Sequence, residues 1–591
     1  MAKLIYEGPK KIRANQLFKC TLTVKIEEQI NTGGVICIAS RHTSDIGIAQ
    51  CDNPDNDNFV EFHTGSKNAV LGFENRHGEH PWNKGFSLIV KSGALMPGDS
   101  VTLNMGGRRG FRSQSFSEIN SGFRLGIKQD GNSEWIVCPK NSSEMFEITG
   151  AEAVRVRAYV KDANNPGAKK TICVKMEDAY ANIGYMKNAV LDVILDDKKF
   201  LGKIKIENGT ALNADFEIPA DDDWHTLVLV SEDGKFHART NPFGPSLAAG
   251  LNVYFGDIHS QSRLCDGTNM PDELYKYAKI AAGLDFASVT SHDMELDDGM
   301  WELIQNETRR ANDPHKFVTI LGYEWSGIPK IGGDNNVYFK GDTGPLVRNT
   351  TTQSKWCVPD TPMEDNDLAE TIRKTGEITD EFIVIPHCGG RQANFGFYDP
   401  KVMPVFEIHS THRNYEQVWR TVVDKRLKLG LVGGSDDHRG AIGDCTTAAR
   451  EVFFSSHCGL ICVYAGQLTR DSIWNAILKR HTYATNGPHI LLGFSLGENI
   501  MGDEVTLAPG APLSFSFKVA THGFFDRLEV YRNNEIAGRY CAPDQRNQVR
   551  IFEDKFEDTV QSGLNFYYIK ALQTDGGCAW SSPIFVNGVP A

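Results

Sequence analysis

Six apolar segments between residues 254 and 438 each end in a side chain that can bind a metal ion. The terminal side chains are His259, His292, Glu324, His387, His409 and the pair Asp436 and His438. Stretches long enough for a helix separate most of these segments, which is typical of a strand and helix repeat. Ligands bind at the carboxyl ends of the strands in such sheets. The sequence therefore predicts that these side chains meet in one metal site.

The repetition carries more weight than any single match. A lone His or carboxylate at a strand end is more often a hydrogen-bonded structural residue than a metal ligand. Six consecutive examples favour the metal site instead. The same segment predicts a helix with apolar positions at Leu274, Tyr277, Ala278 and Ala281, and further helices at 296–311, 366–374 and 470–480. The Gly-rich stretch 326–365 is predicted to be a long loop that covers the site.

The motifs of this region resemble those of the polymerase and histidinol phosphatase (PHP) superfamily. The run from Asp257 to Gly267 resembles its first motif, and Ser291-His292-Asp293 resembles its second. The resemblance covers roughly residues 251–490. A largely uncharacterised branch is closest in detail, with Gly-Tyr-Glu-Trp at 322–325, His-Cys-Gly-Gly-Arg at 387–391 and Tyr-Ala-Thr-Asn-Gly at 483–487. The metal ligands that the resemblance implies are His259, Gln261, Asp266, His292, Glu324, His387, His409, Asp436 and His438.

One of these positions departs from the family pattern. Gln261 stands where the superfamily has the second His of a His-x-His motif, and an amide oxygen is a weaker ligand than imidazole. Two or three divalent metal ions are expected. His and carboxylate ligands suit Zn, Mn or Fe, and the sequence does not select among them.

The fold class that follows is multidomain α/β plus β. A chain of 591 residues is too long for one core. The resemblance implies a distorted TIM-like (β/α)7 barrel over residues 251–490. Alternating apolar and polar residues predict an N-terminal β-sandwich at 1–150, a second β region or the remainder of that domain at 151–250, and a C-terminal β-sandwich at 491–591.

Composition excludes some classes of partner. The net charge of −13 argues against nonspecific binding to nucleic acid or to an anionic membrane, since both need a basic surface. The chain shows neither a secretory signal nor an apolar run of membrane-spanning length, which favours a cytoplasmic location. The 13 Cys form no paired framework and are expected to be free thiols. Oligomeric state stays open.

The expected chemistry is hydrolysis of a small anionic substrate by metal-activated water. Arg391, Arg413 and Arg439 follow three of the candidate ligands closely, and arginine binds phosphate or carboxylate bidentately. His412 and Tyr323 are the candidate proton donors. A phosphoesterase is the favoured function. The alternatives are a hydrolase or lyase that acts on an ester, amide or glycosidic bond, and a non-catalytic binding module stabilised by metal.

Overall fold

The structure, a computed structural model, describes most of the chain. The described residues are 2–75, 78–137, 145–164, 169–186, 188–207, 212–219, 221–349, 366–444, 458–542 and 549–590. Helices account for 11% of the structure and strands for 45%. The molecule is therefore rich in β structure.

The first 150 residues form β-sheets around a core of their own. Strand β4 shows why, because its apolar residues Leu22 and Val24 alternate with polar ones and lie buried on one face. Two larger sheets have the orders β1-β4-β10-β7 and β14-β13-β6-β9-β5. The strands are β1 Ala2–Glu7, β2 Lys11–Arg13, β3 Leu17–Phe18, β4 Cys20–Ile26, β5 Ile30–Asn31, β6 Val35–Ser40, β7 Val60–Thr64, β8 Ala69–Glu74, β9 Lys84–Leu95, β10 Ser100–Met105, β11 Phe111–Arg112, β12 Glu118–Ser121, β13 Arg124–Lys128, β14 Ile136–Val137 and β15 Phe146–Thr149. We call residues 1–150 the N-terminal domain.

Residues 151–250 add two further antiparallel sheets. Their orders are β16-β17-β20 and β19-β18-β21-β22. Buried residues of these strands, such as Val174 and Leu191, belong to the same apolar core as Phe255 and Ala278 of the following segment. The strands are β16 Arg155–Val160, β17 Lys169–Glu177, β18 Asn188–Leu195, β19 Lys199–Glu207, β20 Leu212–Glu217, β21 Leu227–Ser231 and β22 His237–Arg239.

Residues 251–490 contain the α-helices of the described chain. Three helices begin at side chains that accept a hydrogen bond from the first turn, namely Asp297, Asp367 and Thr469. The elements are β23 Asn252–Asp257, α1 Pro271–Ile280, β24 Phe286–Ala287, α2 Asp298–Ala311, β25 Val318–Thr319, β26 Leu321–Ser326, β27 Asp334–Phe339, α3 Leu368–Gly376, β28 Phe382–Pro386, β29 Val405–His409, α4 Glu416–Asp424, β30 Gly430–Gly433, β31 Leu460–Ala465, α5 Arg470–Leu478 and β32 Thr482–Thr485. The helices predicted from the sequence are confirmed.

The prediction of a TIM-like (β/α)7 barrel is wrong. Between residues 251 and 490, the described strands pair in parallel only within β23-β24-β25 and between β29 and β30. The strands β26, β27 and β28 form an antiparallel sheet, and β31 pairs antiparallel with both β23 and β32. The regular alternation of strand and helix is lost because β27 follows β26 directly.

The loop predicted at 326–365 contains strand β27. Its sequence, Asp334-Asn335-Asn336, suggests a turn, but all six residues of the strand are buried between β26 and β28. Pairing on both sides satisfies the backbone and overrides the low strand propensity of Asp and Asn. Residues 350–365 of the predicted loop lie outside the described residues.

The main sheet continues across residue 490. Strand β32 pairs with β41, so the order runs β25-β24-β23-β31-β32-β41-β40-β37-β38. A second sheet, β34-β33-β36-β39, packs on the C-terminal part. The C-terminal strands are β33 Leu491–Leu496, β34 Asn499–Ile500, β35 Glu504–Leu507, β36 Pro512–Ala520, β37 Phe525–Arg532, β38 Glu535–Cys541, β39 Ile551–Thr559, β40 Gly563–Gln573, β41 Cys578–Ser581 and β42 Ile584–Gly588. None of the described helices has the length and apolar character needed to cross a membrane.

One buried histidine should make the fold sensitive to acid. His489 packs between the rings of Tyr159 and Phe255, each with its centroid at 4.4 Å, and burial lowers the pKa of His489 to about 3. Neither ring nitrogen has a hydrogen-bond partner among the described residues. In the unfolded chain the pKa is about 6.5, so below that pH the unfolded state binds a proton that the folded state does not.

The free energy of unfolding should therefore fall as the pH drops from 6.5 towards 3, by about 2 kcal/mol at pH 5 from this residue alone. We expect the variant His489→Phe to lack this contribution. Urea unfolding of both proteins at several pH values measures it. If the difference in free energy of unfolding between the wild type and His489→Phe stays constant between pH 7 and pH 5, the lowered pKa of His489 is contradicted.

Candidate metal centre

The ends of several strands bring His and carboxylate side chains into one buried site. One isolated bridge joins Ser260, after β23, to Asp437, after β30, and another joins His292, after β24, to Glu324 in β26. In four groups, one ligand atom from each residue lies within 4.8 Å of the others. The groups are His259, His387 and Glu407; Asp266, His292 and His438; His259, Glu324 and Asp436; and Glu324, Asp334 and His387.

His259 lies at the centre of the first part of the site. Its Nδ1 is 2.9 Å from Oε2 of Glu407, and its Nε2 is 3.2 Å from Oε2 of Glu324 and 3.3 Å from Oδ1 of Asp436. The Nε2 atom of His387 lies 3.5 Å from Oε1 of Glu324. We call His259, Glu324, His387, Glu407 and Asp436 the His259 group.

Asp266 organises the second part of the site. Its Oδ1 lies 3.5 Å from Nε2 of His292 and 3.3 Å from Nε2 of His438. We call these three residues the Asp266 group. Nδ1 of His292 is 3.5 Å from Oε2 of Glu324, so Glu324 contacts both groups. Glu324 would therefore be a candidate ligand for an ion held by either group.

The residues fit metal ions because several ligand atoms have no other partner. Oδ1 of Asp266, Nε2 of His387, Oε1 of Glu407 and Oδ1 of Asp436 are buried and make no hydrogen bond to the described residues. Buried polar atoms normally have a partner, and an unfilled cation site is one reason for an exception. The fourth group, Glu324, Asp334 and His387, fits a metal ion least well. Both carboxylate oxygens of Asp334 already accept hydrogen bonds from Arg391.

Burial makes several of these carboxylates hard to ionise. It raises the pKa of Glu324 to about 8 and that of Asp334 to about 6, and it also raises the pKa of Glu407. Burial opposes ionisation of Asp436 as well, but the neighbouring His259 and His412 outweigh it and hold the pKa well below its usual range. Divalent cations would stabilise the ionised form of all these groups.

The histidines divide into two kinds. Burial lowers the pKa of His292 to about 3 and that of His387 well below its usual value, so both are neutral and present a lone pair. At His438 burial is outweighed by Asp266, and the pKa rises to about 9. At His259 it is outweighed by Asp436 and Glu407, and the pKa again rises. A metal ion must displace a proton from these two histidines.

Two glycines allow the carboxylates to approach. A Cβ atom at Gly389 would collide with Oδ2 of Asp436, and one at Gly434 would collide with Oε2 of Glu407 and with His259. Asp436 itself has a φ of 52°, in the left-handed region that non-glycine residues rarely adopt. Such backbone strain concentrates at functional sites.

Gln261 lies beside the cluster, but its contacts are those of a hydrogen-bonding residue. Its Nε2 donates to Oε2 of Glu324 at 2.5 Å, and its Oε1 accepts from the thiol of Cys265 at 3.2 Å. The amide therefore orients Glu324 in this structure. That arrangement differs from the ligand role predicted for Gln261.

His409 is absent from the four groups, and Glu407 on the same strand takes the place predicted for it. The register of β29 with β30 shifts between Glu407 and His409. Two residues at this spacing normally point to the same face of a strand. A bulge between them turns their side chains to opposite faces. The ring of His409 stacks on Trp580 at 5.9 Å instead.

Tyr323 also lies away from the cluster. Strand alternation places it on the opposite face from Glu324, where its ring packs against Trp301 and Phe339 in the apolar core. Burial raises its pKa above the usual value. The structure therefore does not support the predicted role of Tyr323 as a proton donor.

The remaining candidates surround the cluster at different depths. Nε2 of His412 lies 2.9 Å from Oδ2 of Asp436, and the side chain is 19% exposed. Arg391 pairs with Asp334 through Nε at 2.8 Å and is 25% exposed. Arg439 is buried, with Nε 3.9 Å from Oδ1 of Asp437, whereas Arg413 is exposed. Of these four candidates, only His412 and Arg391 have a described contact with a member of the four groups.

Sequence reasoning missed Glu407, Asp334 and His80. Glu407 was two residues from a predicted ligand, and only the bulge decides between them. Asp334 lay in a stretch interpreted as loop. His80 belongs to the N-terminal domain, yet its Nε2 lies 3.0 Å from Oδ2 of Asp266. No local sequence signal connects these two residues.

Comparison with known proteins identifies a matching segment. Residues 434–510 match the family model "Protein of unknown function (DUF3604)". An uncharacterised protein of Chlamydia pneumoniae is 24% identical over 373 residues, which is 57% of each chain. An uncharacterised protein of Chlamydia trachomatis is 22% identical over 385 residues, 57% of this chain and 58% of that one. The chain thus spans somewhat more than half the length of these relatives.

Solved structures add no further argument about the fold. A β-glucuronidase of Parabacteroides merdae aligns over 98% of this chain and 80% of its own with 8% identity, but with a TM-score of 0.16. The predicted membership in the PHP superfamily is wrong on these findings. The family model that matches is a different one, and the sheet topology is not that of a (β/α) barrel.

Neighbouring positions on β29 test the metal centre. We expect Glu407→Gln to weaken metal binding by about 10-fold or more, because it removes a buried charge next to His259. The matched variant His409→Gln should bind metal as the wild type does, since His409 stacks on Trp580. Metal titration of both folded variants, with elemental analysis after dialysis, measures the difference. Equal losses in the two variants would contradict the assignment of Glu407.

Proposed function

We propose that this protein is a metal-dependent hydrolase that acts on phosphoesters in a small anionic substrate. The observation that carries the proposal is the pair of buried groups around His259 and Asp266, joined by Glu324. Most carboxylates of the site have histidines as their described partners, and Arg391 pairs only with Asp334, a donor set that supports metal binding. Two or three ions of Zn, Mn or Fe suit these ligands.

Bound divalent ions in such a site lower the pKa of water towards 7 and stabilise charge on the attacking and leaving oxygens. The protein's own residues supply the rest. Glu324, in contact with both groups, fixes their separation. Burial of the ligands excludes bulk water from all but the edge, where His412 and Arg391 are partly exposed.

Arg391 is the side chain best placed to bind an anion. Its Nε donates to Asp334, but neither Nη atom has a hydrogen-bond partner among the described residues. Burial opposes its charge, but Asp334 and Glu324 outweigh this and raise the pKa of Arg391 further. A guanidinium fork held in this way can donate two parallel hydrogen bonds to phosphate oxygens.

His412 is the candidate proton donor to the leaving group. The contact of its Nε2 with Asp436 orients the ring at the exposed edge of the site. Imidazole is the side chain that most often transfers protons in enzyme active sites. Tyr323 is not part of this proposal, because its ring lies in the apolar core.

Removal of metal tests the proposal directly. We expect dialysis against a chelator to abolish hydrolysis of an aryl phosphate, and re-addition of Zn²⁺ or Mn²⁺ to restore it, because the reaction depends on activated water. Full hydrolysis by metal-free protein would overturn the proposal. Metal-dependent hydrolysis of aryl esters or glycosides, with aryl phosphates inert, would instead support the non-phosphorus alternative.

The role of Arg391 predicts a specific kinetic change. A hydrogen bond to a charged group contributes about 1.5–3 kcal/mol, so Arg391→Met should raise KM for an aryl phosphate by roughly 10- to 150-fold. Arg413→Met is the matched control, since Arg413 is exposed and makes no described contact with the cluster. Steady-state kinetics on both variants measure the effect. Equal KM values for Arg391→Met and the wild type would contradict the anion-binding role.

A further inference from the structure

The N-terminal domain contacts the loop that carries Asp266. We call residues 263–269 the Asp266 loop. Four residues of the N-terminal domain contact it through side chains, and one does so through its backbone N–H. They are Arg41, Thr43, His80, Glu118 and Ile119.

Arg41 binds the backbone of the Asp266 loop. Its Nη1 donates to the carbonyls of Cys265 and Gly267 at 2.7 and 2.8 Å, and its Nη2 donates to the carbonyl of Arg263 at 2.9 Å. Arg41 is fully buried, and burial lowers its pKa to about 10. A buried cation that satisfies three carbonyls at once fixes the path of the loop.

Glu118 adds a second buried contact. Its Oε1 accepts from Nη1 of Arg263 at 2.7 Å, and both side chains are less than 10% exposed. The backbone N–H of Ile119 donates to Oδ1 of Asn269 at the other end of the loop. The loop is therefore bound to the N-terminal domain along its length.

His80 contacts the carboxylate of Asp266 itself. Its Nε2 lies 3.0 Å from Oδ2 of Asp266, and its Nδ1 lies 3.2 Å from Oε1 of Glu295. The other oxygen of Asp266, Oδ1, faces His292 and His438 and has no hydrogen bond. One carboxylate thus connects the N-terminal domain to the metal centre.

We propose that His80 is a positioning residue of the metal centre, and that docking of the N-terminal domain sets the metal affinity of the Asp266 group. With Oδ2 held by His80, Oδ1 stays directed at the two histidines. Without His80 the carboxylate of Asp266 can rotate. Metal binding must then order it, which lowers the metal affinity. This inference rests on the proposed metal centre.

A comparison of three variants tests the inference. Outer partners of metal ligands typically contribute 10- to 100-fold in affinity. We expect His80→Ala to weaken one class of metal site by that factor and to leave the other class unchanged. His80→Gln should restore part of the affinity, because its amide can donate to Asp266. His63→Ala, at an exposed position of the same domain, should behave as the wild type.

A calorimetric titration of the full-length protein with Zn²⁺ gives the affinity of each of the two classes of metal site. Asp266→Asn and Glu407→Gln identify which class belongs to which group. Unchanged affinities in His80→Ala, or equal weakening of both classes, would overturn the inference, as would identical affinities for His80→Gln and His80→Ala. A wild type that binds no metal overturns the metal centre as well. Metal binding without hydrolysis overturns the proposed hydrolase and leaves the role of His80 measurable.

Discussion

Like charges confined in a small buried volume are the constraint on which this structure depends. Five carboxylates and four histidines form four groups, and within each group one ligand atom from each residue lies within 4.8 Å of the others. Burial raises the pKa of Glu324, Asp334 and Glu407, so the ionised forms need cations close by. Arg391 meets this need at Asp334, and the remaining carboxylates have histidines as neighbours in groups that could hold metal ions.

The backbone around the site is arranged to let these charges approach. Strand β27 inserts Asp334 between two neighbours, and the bulge in β29 directs Glu407 inward and His409 outward. Gly389 and Gly434 stand where a side chain would collide with Asp436 or Glu407. The inserted strand and the bulge both interrupt a regular repeat of strands and helices.

Flanking domains hold the loops that carry the ligands. Arg41 and His80 of the N-terminal domain contact the Asp266 loop from one side. Lys175 of β17 lies 2.6 Å from Oδ2 of Asp444 and 2.7 Å from Oε1 of Glu177, close to the segment that follows His438. Burial opposes the charge of Lys175, but Asp444 outweighs it and raises the pKa. These buried ion pairs fix the relative placement of segments that are distant in sequence.

The sequence by itself determined the local elements and most of the candidate metal ligands. The periodicity of apolar residues places α2, α3 and α5, and the polar residues that follow the strands include His259, His292, Glu324, His387, Asp436 and His438, all of which the structure brings together. These features depend on neighbours in the chain. The barrel was an inference from motifs, and strand pairing, which joins residues far apart, decided against it.

Only the tertiary structure decided which face a residue takes and which distant segments meet. Glu407 replaces His409 because of a register shift against β30, and Tyr323 enters the core because its strand alternates. Asp334 joins the site because pairing on both sides overrides the turn propensity of its sequence. His80 reaches Asp266 across 186 positions through the docking of two domains, and no periodicity in the chain encodes a contact of that kind.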